Sequence, residues 1–149
     1  MSVLAKNKKA YFDYEILDKY QAGIVLIGQE VKSIKKGNIS LKGSYIVPKN
    51  NELFLIGSHV PPYQPKNAPD YNPERSRKIL LNKKELNQLI GKSKEKTLTL
   101  IPLKVYTMKG LIKIEIGIGR GKKKFDKREA LKKKDIDKKI KKTLKERMR

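Results

Sequence analysis

The side chains best placed to do chemistry in this sequence are three cationic clusters, Lys6 to Lys9, Arg75 to Lys78 and Arg120 to Lys124. Ammonium and guanidinium groups in such runs bind phosphates; they do not by themselves move protons or make and break bonds. The groups that covalent chemistry requires are not arranged for it. His59 is the sole histidine and has no partner at ligand spacing, no cysteine is present, and before Arg120 the acids are scattered with no motif joining two of them. Gly117-x-Gly119-x-Gly121 follows a strand-like run, yet it opens onto lysines and not onto a helix start, so it signals only close backbone approach. The pattern is that of a binding protein and not an enzyme, with no metal or cofactor implied.

Charge identifies the kind of partner. Lys plus Arg number 37 against 15 Asp plus Glu in 149 residues, a formal net charge of +22. Such a chain repels itself, and a polyanion is its natural complement, nucleic acid before anionic membrane. The segment from Arg120 to Arg149 holds 16 basic and 5 acidic residues, net +11, which is half of the total. The length suits one domain, the longest apolar runs fall far short of the ~20 residues of a membrane helix, and no signal-peptide pattern opens the sequence. A cytoplasmic location is expected.

The elements that must position the basic clusters read as strands and short helices. The aromatic group Tyr11, Phe12 and Tyr14 either packs in the core or stacks on a ligand. Tyr20 to Gly23 reads as a turn, and Ile24 to Ile27 as a short strand buried on both faces. Gly28 to Gly37 reads as a helix, with Glu30 in the first turn, where its default role is structural, Val31 and Ile34 inward, and Gly37 as the stop. Ile39, Leu41, Tyr45 and Val47 recur at strand period, Pro48 to Asn51 turns the chain, and Glu52 to Val60 returns as a hairpin partner. A proline-rich loop spans 61–73. Asn82 caps a helix with Glu85 completing a capping-box pattern and Gly91 ending it. Thr97 to Tyr106 forms a strand with an edge or bulge at Pro102, Lys109-Gly110 turns, and Leu111 to Ile118 alternates charged and apolar residues as a half-buried strand. Together these predict a mainly β fold, a small antiparallel barrel of five or six strands with two or three short helices.

Beyond Gly117 the strand period is not restored. The expected division is an RNA-binding barrel domain over 1–120 and a basic tail over 121–149. In the tail, Ile136, Ile140, Leu144 and Met148 recur every four residues as one narrow apolar stripe among lysines. Like charges oppose that helix in free solution, which predicts a tail disordered alone and helical once phosphates neutralise it.

Seven segments carry a resemblance: Asn7-Lys-Lys-Ala10, Ala22-Gly-Ile-Val-Leu26, Gly28-Gln-Glu-Val-Lys-Ser33, Leu41-Lys-Gly-Ser-Tyr45, Arg77-Lys-Ile-Leu-Leu81, Pro102-Leu-Lys-Val-Tyr106 and Gly121-Lys-Lys-Lys-Phe-Asp-Lys-Arg128. In this order and spacing the sequence resembles the SsrA-binding proteins, also called small protein B, over nearly its whole length. The resemblance implies an oligonucleotide-binding-type barrel that holds the tRNA-like domain of transfer-messenger RNA in place of a missing anticodon arm. It also implies delivery of that RNA to ribosomes stalled without a codon, the tail lying as a helix in the empty messenger channel of the 70S ribosome. A monomer when free, with no membrane partner, is expected; a ribosomal or other structural RNA-binding protein is the alternative.

Candidate RNA-binding residues are Lys8, Lys9, Gln21, Glu30, Lys32, Arg75, Arg77, Lys78, Leu80, Lys113, Arg120 and Lys122. Leu80 and Lys113 match family positions that meet the RNA, whereas Gln21 stands where a glutamate is frequent. Candidate decoding-centre residues are Lys123, Lys124, Phe125, Asp126, Lys127, Arg128, Ile136, Ile140 and Leu144. Asp126, Lys127 and Arg128 match the family's tail motif, Phe125 falls where some relatives carry histidine, and Thr143 stands in a position otherwise apolar. On local grounds Leu80 also suits core packing, Lys113 a solvated face and Asp126 a helix cap.

Overall fold

A computed structural model describes residues 2–64 and 70–122. Seven strands and three short helices follow one another as β1 (Ser2–Lys6), α1 (Lys8–Asp13), β2 (Tyr14–Ile24), α2 (Gly28–Lys35), β3 (Tyr45–Lys49), β4 (Glu52–Ile56), β5 (Arg77–Leu80), α3 (Lys83–Ser93), β6 (Leu98–Met108) and β7 (Leu111–Gly121). The strands form one antiparallel sheet in the order β1-β6-β7-β2-β5-β4-β3. The sheet curls until β3 packs near β6, and its concave side encloses the main core, including Ile34, Leu53, Leu55, Ile79, Leu89, Leu100, Val105, Ile114 and Ile116. The ends of the sheet are not joined by a ladder among the described residues, so the barrel has a seam.

Turn chemistry fixes the hairpins. Asn50 and Asn51 both adopt positive φ (52° and 59°) between β3 and β4, and Lys109 and Gly110 do the same (52° and 77°) between β6 and β7, the handedness that matches strand twist. Gly37, at φ 85°, ends α2. The Asn82 side chain accepts from the Glu85 amide at 2.8 Å and donates to the Glu85 carboxylate at 3.2 Å, which starts α3. Gly91 does not end α3; it lies inside, with open space where a Cβ would be, and the helix continues to Ser93.

Several expected elements differ. Tyr20 to Gly23 is not a turn but the second half of β2, an eleven-residue strand paired along β7. A bulge between Ile16 and Asp18 breaks its alternation and leaves Leu17 outside, which conceals the strand period. Val25 and Ile27 are not buried on both faces: they are 40% and 41% exposed. In β3 the inward residue is Ile46, not Tyr45 or Val47, because a turn through Gly43 (φ 73°) breaks the period that starts at Ile39. Pro102 lies at a register shift, the bulge alternative. β7 continues past Ile118 to Gly121, pairing Gly119 with Ile16 and Gly121 with Tyr14.

The glycines of β7 make room for a second, smaller core outside the sheet. Ala10, Ile101 and Leu103 are buried there with Tyr11, Tyr14 and Ile16 against them, so two of the three early aromatics pack. A Cβ on Gly117 would come within 2.8 Å of Leu103 Cδ1, and one on Gly119 within 2.5 Å of Ile101 Cδ1. Close approach is therefore their role, and α1 seals this side of the sheet.

Candidate nucleic-acid interface

Beyond the reach of α1, the outer face of the sheet is exposed at Leu80 and Val25 and half-exposed at Lys113, while Tyr106, opposite Lys113 in β6, and Glu115 are buried on it. Gly23 in β2 lies opposite Leu80 in β5 on one side and Lys113 in β7 on the other. Residues directly opposed in antiparallel strands project to the same face, so Leu80 and Lys113 flank a bare backbone. A side chain at Gly23 would lie 3.4 Å from Leu80 Cβ, and its absence keeps the strip between them shallow. Leu80 is 49% exposed despite being flanked by buried Ile79. Gln21 and Val25, two residues to either side of Gly23, extend the strip, and the Val25 amide donates to the Lys78 carbonyl at 2.9 Å. Lys78 pairs with Glu52 at 2.7 Å. Glu115, farther along β7, is held by Lys104 at 3.1 Å and Lys19 at 3.6 Å. Lys113 forms no ion pair among the described residues, leaving its charge for an outside anion.

Behind one end of this strip is a charged cluster of opposite character. Glu30 and Arg77 are both 0% exposed. Arg77 Nε donates to Glu30 Oε2 at 2.7 Å, Nη1 to the carbonyls of Arg75 (2.9 Å) and Ser58 (3.2 Å) and to Ser58 Oγ (3.0 Å), and Nη2 to the Pro73 carbonyl (3.0 Å) and Tyr71 hydroxyl (3.1 Å). The other Glu30 oxygen accepts from the Ile27 amide at 3.0 Å and from Arg75. Burial pushes the Glu30 carboxyl up, but hydrogen bonds from Arg75, the Ile27 amide and Arg77 more than reverse this and hold it below its ordinary value. The cluster ties α2, the segment after β4, the proline-rich loop and β5 together. Glu30 and Arg77, expected among direct contacts, present no surface to a ligand; half-buried Arg75 is the member that reaches outward.

The remaining predicted residues spread over the molecule. Lys8 and Lys9 are exposed on α1, at the opposite end of β2 from Leu80. Arg120 is exposed near the end of β7, and the Lys122 amide donates to the Asp13 carbonyl at 2.9 Å, so the chain leaves the sheet beside α1. Lys32, on the exposed side of α2, places its Nζ 5.6 Å from the Tyr63 ring centre. Lys123, Lys124, Phe125, Asp126, Lys127, Arg128, Ile136, Ile140 and Leu144, and with them the expected tail helix, lie outside the described residues. Sequence reading did not single out Val25 for the strip, nor Tyr71 and Ser58 for the buried cluster; the apolar run around Val25 was the one usable signal.

Among the described residues there is no group of three or more potential metal ligands and no helix long and apolar enough to cross a membrane. A curled antiparallel sheet with an outward strip of aliphatic side chains beside a lysine, Lys113, that has no ion pair among the described residues defines the class of β-barrel proteins that bind nucleic acid.

The chain belongs to the SmpB protein family, whose model matches residues 4–146. It is 49% identical to the SsrA-binding protein of Thermosipho africanus over 146 residues, covering 97% of this chain and 98% of that one. It is 48% identical to the SsrA-binding protein of Enterococcus faecalis over 143 residues, covering 96% and 93%. A solved structure described as "tmRNA-SmpB: a journey to the center of the bacterial ribosome" contains a chain that is 42% identical, with a TM-score of 0.67, covering 85% of this chain and 92% of that one.

Proposed function

We propose that this chain binds the tRNA-like domain of transfer-messenger RNA and delivers it to stalled bacterial ribosomes for trans-translation. The observation that carries the reading is the Leu80–Gly23–Lys113 row: an exposed aliphatic, a bare backbone and a cation without an ion pair among the described residues, in register on three adjacent strands. Such a surface accepts the face of an unstacked nucleotide at Leu80 and Gly23 and its phosphate at Lys113. Gln21, Arg75 and Lys78 border the row. Glu30 and Arg77 act behind it as positioning residues, and Lys8, Lys9, Lys32, Arg120 and Lys122 add to the basic field that draws RNA in. The names of the relatives and the ribosomal setting of the structural neighbour agree with this assignment.

In this reading residues 1–120 hold the RNA and residues 121–149 reach the ribosome. The tail occupies the messenger channel only when no messenger fills it, so one site tests for a stalled ribosome by exclusion. Asp126, Lys127 and Arg128 engage the decoding region, Phe125 stacks there, and Ile136, Ile140 and Leu144 supply one face of the helix that forms on binding. The protein acts as a cytoplasmic monomer and as a binding factor, not a catalyst.

Binding of the full chain to an isolated transfer-messenger RNA acceptor domain, against elongator transfer RNA and across a salt series, tests the reading. Competitor-resistant binding with a moderate salt slope is expected; equal binding of both RNAs with a steep slope would reduce the protein to a general polycation. Removal of Gly121 to Arg149 is expected to preserve acceptor-domain binding and abolish tagging.

A further inference from the structure

The seam of the barrel encloses a cleft of about 660 Å³ that the proposed RNA strip does not use. That volume is within the range of ligand sites. The cleft lies between α1, the segment before β3 and the start of β6, with Lys6, Lys8, Lys9 and Lys42 among its lining residues and Leu41, Leu100 and Ile101 on its apolar side. Tyr45, which is 50% exposed, forms one wall. Tyr14, another lining residue, is nine positions along β2 from Gly23; at ~3.3 Å per residue this puts the cleft roughly 30 Å from the Leu80–Lys113 row.

The backbone of β6 adds specificity to this lining. Thr99, Leu100 and Ile101 pair with β7 on one side. On the other side β1 extends only to the Lys6–Lys104 pair, and Asn7 takes the carbonyls of Leu103 at 2.8 Å and Pro102 at 2.9 Å. The outer backbone edge of Thr99–Ile101 therefore has no backbone partner among the described residues and faces the cleft. Amide and carbonyl groups, a planar ring, an apolar wall and a cationic rim are the complements of a base edge, a base face and a phosphate. A peptide could use the free edge, but nothing in a neutral peptide would call for the four lysines.

We infer that this seam cleft is a second, independent site that takes one unpaired nucleotide of single-stranded RNA. The base stacks on Tyr45 and meets the free edge at Thr99–Ile101, and the phosphate lies among Lys8, Lys9 and Lys42. The inference rests on the chain being an RNA-binding protein, but not on which RNA the Leu80–Lys113 row selects.

The test is titration of the full chain with hexauridylate, which has no duplex structure, followed by amide NMR shifts and affinity. Shifts centred on Thr99 to Ile101 and Ser40 to Tyr45 are expected. Tyr45→Ala and the double change Lys9→Gln with Lys42→Gln should each weaken by about fivefold or more the hexauridylate affinity read from the seam amide shifts, while Lys113→Gln leaves the seam response where it was and acts only on shifts along the Leu80–Lys113 row. All four residues involved are partly or fully exposed, so these variants should fold, and unchanged amide spectra away from the cleft verify it. Shifts confined to the Leu80–Lys113 row, equal losses in every lysine variant, or the same seam shifts with inorganic phosphate alone would overturn the inference. Acceptor-domain binding measured on the same samples separates the two readings: its loss in wild type defeats the proposed function alone, and loss of the seam response defeats the cleft alone.

Discussion

Two groups of charged residues taken together as RNA contacts in the sequence have opposite structural fates. Glu30 and Arg77 are enclosed and saturate one another with hydrogen bonds, whereas Lys113 stands on an open strand with no ion-pair partner among the described residues. Burial decides the difference. A guanidinium can be enclosed only where acceptors surround it, and Arg77 has acceptors on Glu30, Ser58, Tyr71, Pro73 and Arg75. The β7 lysine meets no such cage. Charge in this protein therefore does two separable jobs, holding the loop and helix around β5 in one arrangement and meeting an external anion.

The sharpest way to break that comparison is Arg77→Met. Removing one partner takes the charged donor from Glu30 Oε2, leaving the buried carboxylate to Arg75, Tyr71 and the Ile27 amide, and strips the Ser58 and Pro73 carbonyls of the Arg77 hydrogen bonds, with an expected loss of about 3–5 kcal/mol in urea unfolding. Leu80→Ala, at an exposed position, should change stability by less than about 0.5 kcal/mol. If the two variants unfold alike, the cluster is not the fastening it is argued to be.

Acid gives a milder version of the same test. The folded Glu30 carboxyl titrates below its ordinary value of 4.5. Its contribution is thus fully present above that ordinary value and is lost as pH falls through the lower folded one. Unfolding free energy followed from pH 6 downward should decline in that acid window for the wild type; in Glu30→Gln that part of the decline should be missing and the whole curve lower.

On the strand beside the open strip, glycine spacing sharpens the contrast between packed and free positions. Gly119→Ala forces a Cβ against Ile101 Cδ1 and Tyr14 Cβ, at 2.5 and 3.0 Å before relaxation, an overpacking cost of about 1–3 kcal/mol. At Gly121 nothing lies within 4 Å of the added atom, and the same substitution should be nearly neutral. Thermal midpoints of the pair measure the difference directly.

What could be read from residue order was whatever local chemistry specifies. Asn50-Asn51 and Lys109-Gly110 announce left-handed turns, Asn82 announces a helix start, and the alternation from Leu111 onward announces a strand, because in each case the cause lies within a few residues of the effect. β2 was only half legible: its bulge at Leu17 shifts the period in mid-strand, and Gly23 imitates a turn although its bareness serves the neighbouring Leu80. The Glu30 cluster was illegible because Ser58, Tyr71 and Arg77 come from 28 to 47 positions away, and nothing local to a serine or a loop tyrosine forecasts a buried arginine. Leu80 could be read either as core or as contact, and only the pairing with Gly23 places it outside.

The smallest expected effect is also the one that isolates the open side of the comparison. Lys113→Gln removes the charge but keeps a polar, shorter side chain on a strand whose fold does not use that charge, so unfolding should be unchanged. A lost phosphate contact reduces the magnitude of the slope of log affinity against log salt by about one, and at moderate salt it costs roughly tenfold or less in acceptor-domain affinity. Glu30→Gln should do the converse, lowering stability while leaving the salt slope where it was, since no counterion is released by a group that never meets the RNA. A steeper effect of Glu30→Gln than of Lys113→Gln on the slope would mean that the buried cluster opens on binding, and the division between holding and meeting would have to be abandoned.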